Sequence, residues 1–254
     1  MSTLKFIQIN IFKGKYLDDL LNFLEREKPD VVSMQEVTAG QMNACDDKSV
    51  SLYDVIANKL GYSGVYNGDL KLEGDPKSSF GNAVLTRLPV LGSHVEVLHD
   101  FRAVTMHEFL SEPAIWAQVP RQVLDLIVDV DGKKVHTMSW HGAWTAPPQD
   151  TEETIRQAKK IAEYLISLNE PFILGCDSNE LLQSETIQTI NEVAVNIMEG
   201  SGILQTTHPK IHKIVPRGYL VDYVYTSKDI KVNSVEVPQV TISDHLPVVA
   251  DLDV

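Results

Sequence analysis

Only two cysteines occur in the 254 residues, Cys45 in a polar stretch and Cys176 at the end of an apolar one. That leaves no disulfide framework and no thiolate spacing for a structural zinc; two free thiols in a reducing compartment are expected. Basic residues are also scarce: 22 Lys and Arg stand against 35 Asp and Glu, a formal charge of −13. No basic cluster is available to grip several phosphates, which argues against tight, processive binding of a nucleic-acid duplex. Any polyanion must therefore be held by local features rather than by a general positive field. No apolar run approaches the roughly 20 residues that span a bilayer, so no transmembrane segment is expected. The opening MSTLKFIQIN has neither the basic segment nor the long apolar segment of a signal peptide, and the expected location is cytoplasmic. Linker-like, low-complexity and repeated stretches are missing as well. With 43% apolar and 22% charged residues, the chain has the balance of a folded globular protein, expected as a single domain over residues 1–254.

What is present is an alternation of apolar strands and amphipathic helices. Residues 4–10 read as a strand, and Leu17, Leu20, Leu21 and Leu24 recur at helical spacing within 16–26 before Pro29 closes the segment. A second buried strand follows at 30–35; strand, helix, strand favours parallel pairing, since the helix supplies the crossover. A helix is expected at 51–60. Residues 61–80, rich in Gly, Tyr, Asp and Lys without periodicity, read as a long surface loop. Strands at 82–85, 123–130 and 134–140, the last two joined by Asp131-Gly132, make the middle antiparallel. Thr151 caps a helix over 151–168, and a strand follows at 172–176. A helix at 185–198 and strands at 220–226, 231–237 and 246–252 complete the chain. Helices placed early and late around many strands point to two packed sheets covered outside by helices.

Polar groups fall where the strands end. Asn10 ends Leu-Lys-Phe-Ile-Gln-Ile-Asn, Glu36 follows Asp-Val-Val-Ser-Met-Gln, His141 ends Val-His-Thr-Met-Ser-Trp, and Asp177 ends Phe-Ile-Leu-Gly-Cys. Asp222 lies inside the apolar Tyr-Leu-Val-Asp-Tyr-Val-Tyr and, once buried, needs a partner. Ser243-Asp244-His245 precedes another apolar run. Any one of these is an ordinary turn or capping group. As a set they suit a hard divalent cation: Mg²⁺ takes oxygen ligands, typically one or two carboxylates plus substrate phosphate, which Glu36, Asp244 and Asn10 can provide.

Several of these residues sit in motifs. QE at 35 and 36, GNAVLTRLP at 81–89, WHG at 140–142, GCDSN at 175–179, VDYVY at 221–225 and SDHLPV at 243–248 occur in an order and spacing that resembles the endonuclease/exonuclease/phosphatase superfamily, the DNase I-like phosphohydrolases. The resemblance implies a four-layer α/β/β/α sandwich, two mixed sheets flanked by helices, with the site at one sheet edge. It also implies hydrolysis of phosphoester bonds with Mg²⁺ or Mn²⁺. By that resemblance Glu36 is the principal metal ligand, with Asn10 and Asp244 near metal and phosphate. Asp177 orients and deprotonates the attacking water and Asn179 holds it in line. His245 contacts the phosphate, Asp222 fixes its tautomer, and His141 is a second phosphate-facing histidine able to neutralise charge or protonate the leaving oxygen.

The departures also inform. Phe12 stands where some nuclease members carry a second acid, Ser178 replaces an aromatic within G-D-x-N, and His141 stands where some repair nucleases have tyrosine. Trp140 and Trp144 flank His141, placed to stack on a base or line a substrate groove, with packing under the sheet edge expected of at least one of them. Specificity is expected on loops, at 61–80 with Tyr62, Tyr66, Lys71 and Lys77, and at 99–120 with Arg102 and Trp116. Arg156 and Gln157 read as structural. The substrate is a phosphoester, with small molecule, lipid headgroup and nucleic acid all open, and no obligate protein partner is visible. A rival reading is a catalytically inactive superfamily member serving as a binding module. The simultaneous presence of Asn10, Glu36, Asp177, Asn179, Asp222, Asp244 and His245 disfavours it.

Overall fold

The first strand carries the logic of the whole architecture. In the computed structural model, which describes residues 2–212 and 218–254, β1 (Thr3–Asn10) alternates two faces. Ile7 and Ile9 turn outward into an apolar cluster with Leu20, Leu24, Leu52 and Ile56. Leu4 and Phe6 turn inward to the main core. Continuing on that inner face, Gln8 and Asn10 are polar and buried, because side chains two apart on a strand share a side. The inner face thus changes from apolar to polar along its length.

Helix α1 (Leu17–Glu27) buries Leu20, Leu21, Phe23 and Leu24 and ends at a left-handed Lys28 ahead of Pro29. The chain then enters β2 (Val31–Ala39), parallel to β1. Helix α2 (Leu52–Leu60) is capped by Ser51 and closed by Gly61 in the left-handed conformation that C-terminal glycines supply. Both helices cover the outer face of the first sheet.

Residues 61–80 are not a loop. They form β3 (Ser63–Leu72) and the start of β4 (Asp75–Thr86), a hairpin closed at Gly74 with φ +77°. Glycine here reflects close backbone approach rather than disorder: a Cβ at Gly81 would lie 1.9 Å from the Asn67 carbonyl, and one at Gly64 2.1 Å from that of Val84. Register shifts between Asn67 and Leu70 break the alternation that sequence periodicity relies on.

A strand that periodicity missed, β5 (Val90–His99), opens the second sheet as an edge. Helix α3 (Met106–Ser111) and a short 3₁₀ turn, Pro113–Ala117, follow. Then come β6 (Arg121–Val130), β7 (Lys133–His141), the capped helix α4 (Glu152–Ser167) and β8 (Phe172–Asp177). Helix α5 (Glu185–Asn191) stops well short of residue 198, because the chain turns at 192–194 and adds the two-residue β9 (Val195–Asn196) beside β10 (Asp222–Thr226). The last two strands are β11 (Lys231–Glu236) and β12 (Val248–Asp253).

The two six-stranded sheets run β11-β12-β1-β2-β4-β3 and β5-β6-β7-β8-β10-β9. Each is antiparallel except for one parallel pair, β1 with β2 and β7 with β8. They are sandwiched face to face with helices outside, the expected four layers. Trp140 is core, 1% exposed. Arg156 bonds Glu153 and the Leu98 carbonyl, and Gln157 bonds Glu153, so both are structural as expected. Toward the site, apolar packing gives way to hydrogen bonds between sheets: Gln8 to Asp222 at 2.8 Å, Gln35 to Ser139 at 2.8 Å, Ser139 to the Met34 carbonyl at 3.0 Å.

Two outcomes follow from this packing. A Cβ at Gly175 would meet Ser33 Oγ at 2.8 Å and Phe6 at 3.0 Å across the sheets, so Gly175→Ala should lose about 1–3 kcal/mol in urea unfolding. A cost under about 0.5 kcal/mol would mean the sheets part easily there. Glu180 is fully buried with neither carboxylate oxygen partnered among the described residues. Burial, with Asp150 nearby, pushes its pKa up to about 8. The folded state therefore keeps a proton that the unfolded chain releases above its ordinary value of 4.5, and stability from this group falls as pH rises from there to about 8. Glu180→Gln should remove that slope, raising Tm relative to wild type more at pH 8 than at pH 4; an equal difference at both pH values counts against a buried neutral acid.

Candidate active site

Strand register gathers the polar residues. His141 on β7 pairs with Asp177 on β8, which pairs with Asp222 on β10, so one row of the second sheet carries imidazole, carboxylate, carboxylate. Asn10 faces this row from the first sheet, its Nδ2 donating to Asp177 Oδ2 at 2.9 Å while its Oδ1 accepts from the Phe12 amide at 3.0 Å. Glu36 does not follow β2 but lies within it. The register with β4 slips between Met34 and Val37, and Glu36 takes φ +53°, a left-handed kink that re-aims its side chain into the cleft.

The eight expected residues fall into two groups in space. Seven of them (Asn10, Glu36, His141, Asp177, Asn179, Asp244 and His245) line one cleft of about 300 Å³. Asp222 lies behind it, fully buried, accepting from Gln8 at 2.8 Å and from His245 Nδ1 at 2.8 Å. Asp177 Oδ2 sits 3.6 Å from Nε2 of both His141 and His245, and its Oδ1 accepts from the Asn179 amide at 3.1 Å. Asn179, at φ +58°, donates its Nδ2 to the Gly142 carbonyl at 3.2 Å.

Electrostatics divides the two histidines. Burial disfavours charge on His245, but Asp222 and Asp177 outweigh it and raise its pKa well above the ordinary value. His141 is pushed well below by burial and then by the Arg121 guanidinium. One imidazole is therefore charged and its neighbour neutral. Burial lifts Asp177 to about 7, against the pull of His245 and with the push of Asp222. Asp244 rises to about 6, again through burial, with His245 opposing and Glu36 adding to it. Glu36 goes the other way: burial raises it, yet Lys13, His141 and His245 together hold it at about 2.

Asp177, Asp222 and His245 bring ligand atoms within 4.8 Å of one another, a metal-like cluster by distance alone. An imidazolium sandwiched between two carboxylates already offsets one of their charges and has no lone pair to give, so the triad is an ion-pair network. The oxygen donors without such a partner are Asp244 and the face of Glu36 not bound to Lys13; with Asn10 they form an all-oxygen set beside excess negative charge, which fits a hard divalent cation.

Three polar cleft residues escaped the sequence reading: Lys13, Arg121 and His212. Arg121 is the first residue of β6, just ahead of the apolar run, and the strand-end pattern that picked out Asp177 applies to it in reverse. Its Nη2 donates to the Trp116 carbonyl at 3.3 Å. His212 packs edge-on against the His245 ring at 5.3 Å and carries no sequence signal; burial, then His245, lowers it to about 4. The walls are Phe12, Phe109, Leu110, Trp116 and Trp144. Of the residues expected to set specificity only Trp116 and Trp144 reach the cleft. Tyr66 is packed on Tyr53 and bonded to Ser79, and Arg102 is bound to Glu108 on the surface. Tyr62 bonds the Pro29 carbonyl, and neither Lys71 nor Lys77 lines the cleft.

Comparison with curated protein sequences gives no match. Among solved structures the fold is similar to an endonuclease/exonuclease/phosphatase from Bacteroides vulgatus, with 17% identity, a TM-score of 0.76 and coverage of 100% of this chain and 99% of that one. It is similar to a mannosyl-6-phosphatase of Bacteroides thetaiotaomicron at 15% identity and TM-score 0.72, covering 99% of this chain and 100% of that one. The human Nocturnin catalytic domain, with bound sulfate, gives 16% and 0.71, covering 99% and 93%. At such identities these likenesses establish the fold. The sequence model described as "Endonuclease/Exonuclease/phosphatase family" matches residues 7–245, a span that contains every cleft residue named above, and the chain belongs to that family.

Proposed function

We propose that the protein hydrolyses phosphoester bonds with a bound Mg²⁺ or Mn²⁺. The observation that carries this reading is one carboxylate, Asp177, facing a charged and a neutral histidine in a cleft that also holds Asp244 and the face of Glu36 not bound to Lys13. Family membership supports the same class of chemistry. Glu36 and Asp244, with Asn10, would hold the ion, which when bound polarises a phosphoryl oxygen.

The chain's own groups supply the rest. Asp177, fixed through Oδ1 by the Asn179 amide and through Oδ2 by Asn10, accepts a proton from the attacking water; a carboxyl at about 7 is a base matched to neutral pH. Asn179, tied to Gly142, keeps water and phosphate in line. His245, held by Asp222 in one tautomer and in its charged form, meets the charge that builds on the phosphate. His141, neutral beside Arg121, donates a hydrogen bond, so proton delivery to the leaving oxygen falls to His245.

The aromatic walls describe the remainder of the substrate. A cleft of about 300 Å³ suits a small molecule or one splayed residue of a larger one. Trp116 and Trp144 in its wall favour an aromatic or apolar group beside the phosphate. Two free thiols, Cys45 and Cys176, accord with a reducing, cytoplasmic setting. Among the described residues no helix is long and apolar enough to cross a membrane.

Chelation should abolish hydrolysis of a chromogenic phosphodiester, and Asp177→Asn should lower kcat by about 10²–10⁴-fold. Full activity of Asp177→Asn would sink the mechanism, and absence of Mg²⁺ or Mn²⁺ binding by calorimetry would favour the inactive binding module instead. For two diesters sharing one leaving group, one with an aryl and one with a methyl second ester, Trp116→Ala should reduce the aryl-to-methyl ratio of kcat/KM by about tenfold. An unchanged ratio would remove Trp116 from substrate recognition.

A further inference from the structure

Phe12, Lys13 and Gly14 take φ of +49°, +56° and +74° in succession. A left-handed conformation is free to glycine but costly to side chains, and it persists where surrounding structure enforces it. Enforcement is visible on every side. The Phe12 amide is held by Asn10 Oδ1 at 3.0 Å, and the Lys13 carbonyl accepts from the Ala44 amide at 2.7 Å. A Cβ on Gly14 would meet Leu52 at 2.8 Å. The result of this strained turn is a single placement: Lys13 Nζ reaches 2.8 Å from Glu36 Oε2. The same ammonium lies 5.0 Å from the Phe12 ring centre and 5.5 Å from that of Trp116, within cation–π range of both.

Glu36 thus already has a cation, one supplied by the chain. Resting on the reading of Glu36 as a metal ligand, we infer that Lys13 is a tethered counter-ion that occupies Glu36 in the empty site, competes with the divalent ion for it, and is released into the cleft when the ion binds. With Lys13 on Oε2 and the ion on the other face, one carboxylate would hold two cations a few ångströms apart, and their repulsion makes entry of the ion displace the ammonium. The four-carbon stem and the two aromatic faces give the ammonium somewhere to go, and an anionic phosphoester in the same cleft is its next partner. Lys13 then acts twice, keeping the buried acids tolerable before loading and adding positive charge beside the substrate afterwards. It is a positioning and charge-balancing residue, distinct from the groups that touch the reacting bond.

The test is Mn²⁺ binding without substrate, by isothermal titration at pH 7, on wild type, Lys13→Met and Lys13→Arg. Lys13→Met should bind about tenfold more tightly, the worth of the weaker charge-assisted hydrogen bonds, while Lys13→Arg, still cationic, should not gain. In EDTA the Met variant should melt below wild type and show the larger rise in Tm on adding Mn²⁺. Lys13→Gln serves in its place if the Met variant does not fold. Equal or weaker Mn²⁺ binding by the neutral variant overturns the inference while leaving the proposed hydrolase intact. Failure of wild type and neutral variant alike to bind Mn²⁺ overturns both.

Discussion

Negative charge buried where the two sheets meet must be balanced at close range, and most of what surrounds the cleft answers to that requirement. Asp222 is fully buried. It is tolerated because Gln8 donates from the opposite sheet, the Thr206 hydroxyl accepts from its backbone amide, and His245 supplies a proton and a charge. That ion pair fixes which ring nitrogen of His245 faces Asp177. Asp177 in turn is held by Asn10, so the balance of charge reaches from one sheet to the other and back. Removal of His245 would leave Asp222 fully buried without a counter-charge.

The same requirement explains why the cleft lies at this end of the sandwich. Leu4 and Phe6 pack the sheets together, whereas two and four residues further on Gln8 and Asn10 hold them by hydrogen bonds. Ser33, Gln35 and Ser139 repeat the change on neighbouring strands. Apolar packing provides most of the cohesion, since burial of aliphatic and aromatic surface is the dominant favourable contribution. The polar end gives up some of that cohesion in return for donors and acceptors at fixed positions.

Regular structure with strong periodicity was legible in the residues: β1, α1, α2, α4, β6, β7, β8, β11 and β12 are within a few residues of expectation. So was the set Asn10, Asp177, Asp222 and His245, because the first three stand at the end of an apolar strand or inside one and His245 just precedes one. The hairpin at 63–86 was hidden by its bulges and by glycines that mark close backbone contact, and β5 by the exposure of an edge strand whose two faces are not sharply divided. Glu36 was recognisable by its motif but not its cause, since nothing in Met-Gln-Glu-Val announces a kink inside a strand. Lys13 and Arg121 were missed for a different reason. Their roles depend on what lies across the cleft from them, and one lysine or arginine beside an apolar run looks like ordinary surface chemistry until the partner carboxylates are in place.

The pairing of β12 with β1, Leu252 opposite Leu4 and Val248 opposite Gln8, has a consequence for the protein's life during synthesis. β1 is made well before β12, so the contacts that join them, from Thr3 opposite Asp253 to Gln8 opposite Val248, are long in sequence, and such contacts form late. A chain that has not yet reached residue 245 lacks the imidazole that bonds Asp222 and lies beside Asp177. Until His245 and β12 are in place, Asp222 has no ion-pair partner and the strand that joins β11 to β1 is missing from the first sheet.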